Sequence, residues 1–108
     1  MKFQLTTWDR ISLVRVIEQQ SGDMKFVRQA GRVLDALELT AEEQHAVGMS
    51  GDGQGTVTWK DTAHVWEIEL QDRDTQFVRD LAQRHAWPGV AVRLVSALAE
   101  RLGIALGD

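Results

Sequence analysis

The five residues Trp66-Glu67-Ile68-Glu69-Leu70 constrain this chain more than any others. Apolar and acidic side chains alternate without a break, so Trp66, Ile68 and Leu70 share one face and Glu67 and Glu69 share the other. That is the pattern of a β-strand with one buried and one wet side. A strand cannot stand alone, because its backbone N–H and C=O groups need partners. The nearest segment with the same alternation is Thr56–Trp59, which puts Val57 and Trp59 on one face. The sequence therefore predicts an antiparallel hairpin of these two segments, closed by the polar connection Lys60–Val65. Trp59 and Trp66 would then lie near one another across the strands.

Around that hairpin the periodicity is helical. Thr6 or Thr7 caps a first helix, with Asp9 in its first turn favoured by the helix dipole. Its apolar stripe is Trp8, Ile11, Val14 and Ile17, widened by Leu13 and Val16, and Gly22 ends it. Asp23 caps a second helix with the stripe Phe26, Val27, Ala30, Val33, Leu34 and Leu37. Lys25, Arg28 and Arg32 form a basic face on another side of it. Thr40 and Glu43 make a capping box for a short third helix that stops at Gly48. Asp72 or Asp74 caps a fourth, with Phe77, Val78, Leu81 and Ala82 inside. Pro88 suits the first turn of a fifth, which buries Ala91, Leu94, Val95, Leu98 and Leu102. Gly103 stops it, and Ile104 folds back as in a Schellman motif. The expected fold is α+β, a mostly helical single domain over residues 1–108 with one antiparallel β-hairpin, in the order α-α-α-β-β-α-α.

A chain of 108 residues can bury a sizeable core without metal or disulfide. It has no cysteine, which removes disulfides, thiol catalysis and thiolate metal sites. No apolar run approaches the roughly 20 residues of a membrane span. The N-terminus lacks an apolar signal region, so a cytoplasmic location without membrane contact is expected. The formal charge is −4, unevenly spread. Residues 40–80 carry three Lys/Arg against nine Asp/Glu, net −6, while both flanks are slightly basic. An acidic middle repels phosphates and disfavours general nucleic-acid binding.

The glycine-rich stretch Ser50–Asp61 invites two functional readings. A phosphate cradle needs a strand before it and a helix N-terminus after it. Here the order is reversed, and Asp52 would repel the ligand. An EF-hand register places Ser50, Asp52, Gln54 and Asp61 at ligand positions, Gly55 at the turn and Val57 at the apolar position. That loop offers only two carboxylates, and Thr56, Val57, Thr58, Thr62, Val65 and Ile68 are β-branched where an exit helix is wanted. A weak calcium site is the residual functional expectation. The bland alternative is a slack loop leading into the hairpin.

Other chemistry is thin. His45, His64 and His85 share no metal spacing, and read as a surface helix, a hairpin tip and a last helical turn. Ser12, Ser50 and Ser96 sit in no nucleophile motif. Glu67 and Glu69 share a strand face and suit a general acid/base pair, but such residues more often solvate an outer sheet face. No catalytic residue, metal ligand or cofactor is assigned.

The order of motifs carries a resemblance. "LTTWDRISLVRVI", "VRQAGRVLDALELTAEEQHAVGM", "GTVTW", "WEIEL" and "DTQFVRDLAQ" together resemble a family of small uncharacterised proteins common in bacteriophages and prophages. The resemblance spans nearly the whole chain. This chain departs from it at "SGDGQG" and at Trp87-Pro88-Gly89. The resemblance implies the hairpin rather than a calcium loop, and brings no catalytic residues with it.

The leading expectation is a non-enzymatic protein-interaction module. It would bind a host protein through its acidic middle, with Glu67, Glu69, Asp72 and Asp74 as the candidate surface. Self-association is a second possibility, since four Trp are many for a small domain to bury. The alternatives are a nucleic-acid-binding regulator, using Lys25, Arg28 and Arg32 with the hairpin as a wing, and the weak calcium binder.

Overall fold

The computed structural model describes residues 1–51, 53 and 56–104. It opens with a strand that the helical reading of the N-terminus missed. Lys2–Thr6 is β1, with Phe3 and Leu5 buried and Lys2 and Gln4 exposed. Thr6 ends this strand and caps α1, Thr7–Glu18, with no loop between. Its hydroxyl accepts from the Asp9 N–H, and the Asp9 carboxylate accepts from the Thr6 N–H, a closed capping box. There follow α2 (Met24–Leu37), α3 (Ala41–Ala46), β2 (Ser50–Gly51), β3 (Val57–Thr58), β4 (Val65–Glu69) and α4 (Asp72–Arg84). A 3₁₀ turn at Gly89–Ala91 then leads into α5, Val92–Leu102. The chain is thus an α+β domain dominated by helices. Its radius of gyration, 13.8 Å, is close to the ~13 Å of a folded domain of this size. No helix among the described residues is long and apolar enough to cross a membrane.

The strand pairing differs from the expected hairpin. β4 is a strand with Ile68 and Leu70 buried and both glutamates outside, but its antiparallel partner is β1. Phe3 lies opposite Ile68, Leu5 opposite Trp66, and Lys2 opposite Glu69. β3 pairs with β2 instead, so both short strands lie within the stretch Ser50–Asp61, and Val57–Thr58 forms no hairpin with β4. The physical reason is matched burial. β1 brings two side chains that bury completely beside Ile68, over five residues of ladder, whereas β3 offers only two residues. Trp66 therefore lies on the β1–β4 ladder and Trp59 just after β3, so the two are not cross-strand neighbours. Trp66 turns its indole N–H to the Thr7 hydroxyl at 3.0 Å, and the His64 ring packs against it at a tilt of 53°.

The phase of the β1–β4 ladder is fixed at its end. The Met1 amine donates to the Leu70 carbonyl, and the Leu70 N–H donates back to the Met1 carbonyl. Hydrogen-bonded pairs alternate in an antiparallel ladder, so Phe3–Ile68 and Leu5–Trp66 are bonded pairs too. Val65, Glu67 and Glu69 then point their backbone groups away from β1.

The helices pack on the apolar face of this sheet. Leu5, Leu13, Val16, Val33, Leu37, Val78, Leu98 and Leu102 form the sealed centre. Several helix boundaries moved from their expected places. The α1 stripe divides in two: Leu13, Val16 and Ile17 are buried, while Trp8, Ile11 and Val14 are only partly so. α1 stops at Glu18, before Gly22, whose role is space, since a Cβ there would meet the Phe26 ring at 2.6 Å. Val27 and Leu94, expected inside, are exposed. Pro88 precedes the 3₁₀ turn in extended conformation instead of entering α5. Gly103 does end α5 with φ of 70°, and the Ile104 N–H returns to the Ala99 carbonyl, completing the Schellman motif.

Since Leu5 is sealed between sheet and helices, Leu5→Ala should cost about 3 kcal/mol. Gln4→Ala, one residue away on the wet face, should stay within about 0.5 kcal/mol of the parent. Urea unfolding of both variants checks this, and a small loss for Leu5→Ala would contradict the role given to β1.

Candidate functional site

Among the described residues three ion pairs involve helix ends, and they determine which charges remain for recognition. The central one is Arg10, whose side chain is only 2% exposed. Its Nε donates to the Leu37 carbonyl at 2.8 Å, and Nη2 donates to the Glu38 carbonyl at 2.9 Å. Those acceptors are α2 terminal carbonyls, which the helix itself leaves without partners. Nη1 and Nη2 also take both oxygens of Glu43, at 2.9 and 3.2 Å. The guanidinium lies 5.2 Å from the centre of the Trp66 ring. Glu43 meanwhile closes the α3 capping box with Thr40, as its spacing suggested. The Arg10 hydrogen bond, against a smaller opposing effect of burial, holds the Glu43 carboxyl below its ordinary value.

The second pair joins the chain's two ends. Asp9 is fully buried, and its Oδ2 accepts from Arg101 Nη1 of α5 at 2.7 Å. The other oxygen, Oδ1, has no hydrogen-bond partner among the described residues. The third pair corrects two expectations together. Asp74 does not cap α4, since Gln71 holds the cap position without a side-chain bond. Its carboxylate is buried and accepts from Arg32 Nη2 at 3.1 Å and from Gln29 Nε2 at 3.3 Å. Asp74 thus leaves the candidate acidic surface, and Arg32 of the candidate basic face is held by it. Lys25 and Arg28 remain exposed on α2.

Of the four acidic candidates, Glu67, Glu69 and Asp72 remain outside. The two glutamates project from the outer face of β4, where Lys2 approaches Glu67 at 3.5 Å with both side chains more than half exposed. Such an exposed pair holds its partners only loosely. Asp72 follows one turn away at the start of α4. Beyond the carboxylates lies the strand's second edge. Among the described residues, no hydrogen bond reaches the outward backbone groups of Val65, Glu67 and Glu69.

For the calcium reading, Asp52, Gln54 and Gly55 fall outside the described residues. The EF-hand exit requires a helix after the loop, and residues 59–64 are non-helical there and Val65–Glu69 is a strand. Ser50 shares a hydroxyl contact of 3.4 Å with Thr58, and Asp61 accepts from the Ala63 N–H. No group of three His, Asp or Glu side chains among the described residues converges as a metal site would. His45 is exposed on α3, and His85 packs edge-on against Trp87.

Sequence reasoning missed Arg10, Asp9 and Arg101 as buried or half-buried ionic groups. One signal was available. Arg10, Leu13 and Ile17 fall three and four residues apart, on the same side of α1, so Arg10 occupies a core position. No protein-family model matches the chain, and no curated protein or solved structure matches it either.

The lowered Glu43 value fixes a pH dependence. Glu43 contributes stability that is fully present above the ordinary glutamate value of 4.5, and that is lost as pH falls through its lower folded value. Glu43→Gln should lower the urea midpoint at pH 7 and flatten its decline between about pH 5 and about pH 3. Arg10→Met should cost about 3 kcal/mol at pH 7, because both α2 carbonyls and Glu43 lose their donor. Parallel midpoints for parent and Glu43→Gln across the acid range would contradict this account.

Proposed function

We propose that this chain is a small, non-enzymatic protein-interaction module of phage type. It takes up an extended basic segment of a protein partner along the free edge of β4. The observation that carries this reading is the pairing of two features on one strand. The backbone groups of Val65, Glu67 and Glu69 face outward with no hydrogen-bond partner among the described residues, and the two glutamates project from the exposed face beside them. An added strand would gain ladder hydrogen bonds from that edge. Lys or Arg at alternate positions of it would meet Glu67 and Glu69 as opposite-charge cross-strand neighbours. Asp72 extends the negative field toward α4. The same carboxylates work against self-pairing of this edge, since a second copy of β4 would bring like charges face to face. Motif order supports the phage-type assignment.

Amide exchange tests the edge directly. In the free protein, the amides of Val65, Glu67 and Glu69 should exchange faster than those of Trp66, Ile68 and Leu70, which are bonded to the N-terminal strand. An octapeptide of alternating Lys and Val should slow the first set, and its acidic Glu-Val counterpart should not. Glu67→Lys with Glu69→Lys should weaken the basic peptide by roughly tenfold or more. Equal binding of both peptides, or unaltered binding by the double variant, would sink the proposal.

A further inference from the structure

A second recognition site lies away from β4, where the two ends of the chain meet. Thr6 and Trp8 at the start of α1, Trp59 and Thr62 after β3, and Leu94 and Arg101 of α5 line a cleft of about 330 Å³. That volume is at the lower end of the range for small-ligand pockets. Two indoles and a leucine supply its apolar wall. Leu94 is half exposed, although its place on the α5 stripe would suit a core residue.

Arg101 supplies a polar anchor. Its Nη1 is fixed by the buried Asp9 carboxylate at 2.7 Å. Its Nε and Nη2 make no hydrogen bond among the described residues, and a third of the side chain is exposed. A guanidinium pinned at one nitrogen is already oriented, so little side-chain freedom is lost when its other donors are engaged. Asp9 also sets the charge of the ligand. It already balances the arginine, so a phosphate dianion finds no surplus positive charge here. A monoanionic carboxylate needs only the planar pair of donors that a guanidinium offers.

We infer that this cleft binds a carboxylate attached to an aromatic or bulky apolar group, with Arg101 reading the carboxylate and Trp8 and Trp59 enclosing the rest. The chemistry is shared by a free aryl-alkanoic acid and by a protein C-terminus ending in an aromatic residue. The inference is independent of the β4 edge, which shares no residue with the cleft.

Titration of ¹⁵N-labelled protein with 3-phenylpropionate tests it. The indole signals of Trp8 and Trp59 should shift saturably, with a dissociation constant of roughly 0.1 to 3 mM for a ligand of this size. Trp66 serves as the internal control. The primary amide of the same compound should bind about tenfold more weakly. Arg101→Gln should abolish that preference. Because it also strips Asp9 of its partner, Leu94→Glu provides a variant at an exposed position that leaves the ion pair intact. It should weaken the acid by a larger factor than the amide, since both lose the leucine wall but only the acid also meets the added negative charge. A pentapeptide ending in Phe, compared as free acid and as carboxamide, separates the two sources. Tighter binding of the peptide acid than of 3-phenylpropionate assigns a protein C-terminus, and weaker binding assigns a small molecule. Equal affinity for acid and amide, indifference of the acid to Leu94→Glu, or no indole shift up to about 10 mM would each overturn the inference.

Discussion

The fold turns on one buried cation. Arg10 reaches from the first turns of α1 to the end of α2, to the capping glutamate of α3 and to the ring of Trp66 on β4. An unpaired guanidinium in that position would cost several kcal/mol. Here four hydrogen bonds are donated from it, to two carbonyls and a carboxylate. The acceptors matter as much as the donor. The last carbonyls of a helix have no intrahelical partner, and the α2–α3 connection would otherwise expose them. Arg10 therefore sets the direction in which α2 hands over to α3, and Glu43 couples that direction to the α3 cap. Replacement of such a network by apolar residues is often tolerated. Its retention here fits a role in geometry, because one side chain fixes the relative positions of four elements.

How much of this was readable in one dimension follows the distance over which each interaction acts. The capping box at Thr40–Glu43, the α2 cap at Asp23 and the αL stop at Gly103 are set within a few residues, and all were legible, whereas at α1 the spacing left Thr6 or Thr7 as the cap and placed Asp9 only in the first turn. The β4 alternation was legible as well, because a strand face is a local property. Its partner was not. The same alternation exists in Lys2–Thr6, but it is short and runs straight into a helix cap, so it was absorbed into the approach to α1. Choosing between β1 and β3 as the partner requires comparing what each would bury some 60 residues away, and spacing carries no such information. Asp74 failed for a related reason. Its place in the first turn of α4 satisfies the dipole, yet Asp74, Val78 and Leu81 lie on one helical side, and that side faces α2.

The two proposed surfaces follow from this ionic arrangement. Composition puts nine acidic residues between positions 40 and 80. Glu43 and Asp74 are spent on Arg10 and Arg32, so of the acidic residues of β4 and the start of α4 only Glu67, Glu69 and Asp72 remain outward. Charge counted along the chain overstates the surface by including groups that the core has already neutralised. The candidate basic face shrinks likewise, because Arg32 is shared with Asp74 while Lys25 and Arg28 stay outside.

β4 and the Arg101 cleft show how one constraint produces opposite surfaces. β4 must turn Ile68 and Leu70 inward, and the two-residue period then forces Glu67 and Glu69 outward. That face is wet and negative, and the strand edge beside it is suited to ladder bonding with an extended chain. The cleft arises where β1 gives way to α1 without a loop, which brings Thr6, Trp8 and Asp9 beside α5. Asp9 cannot be left alone in the core, so it draws in Arg101, and only part of the guanidinium is used in doing so. The residue that neutralises a buried charge is thereby left with oriented donors at an apolar wall. A ligand site of this kind needs no separate residues for binding, since the fold has already fixed its anchor.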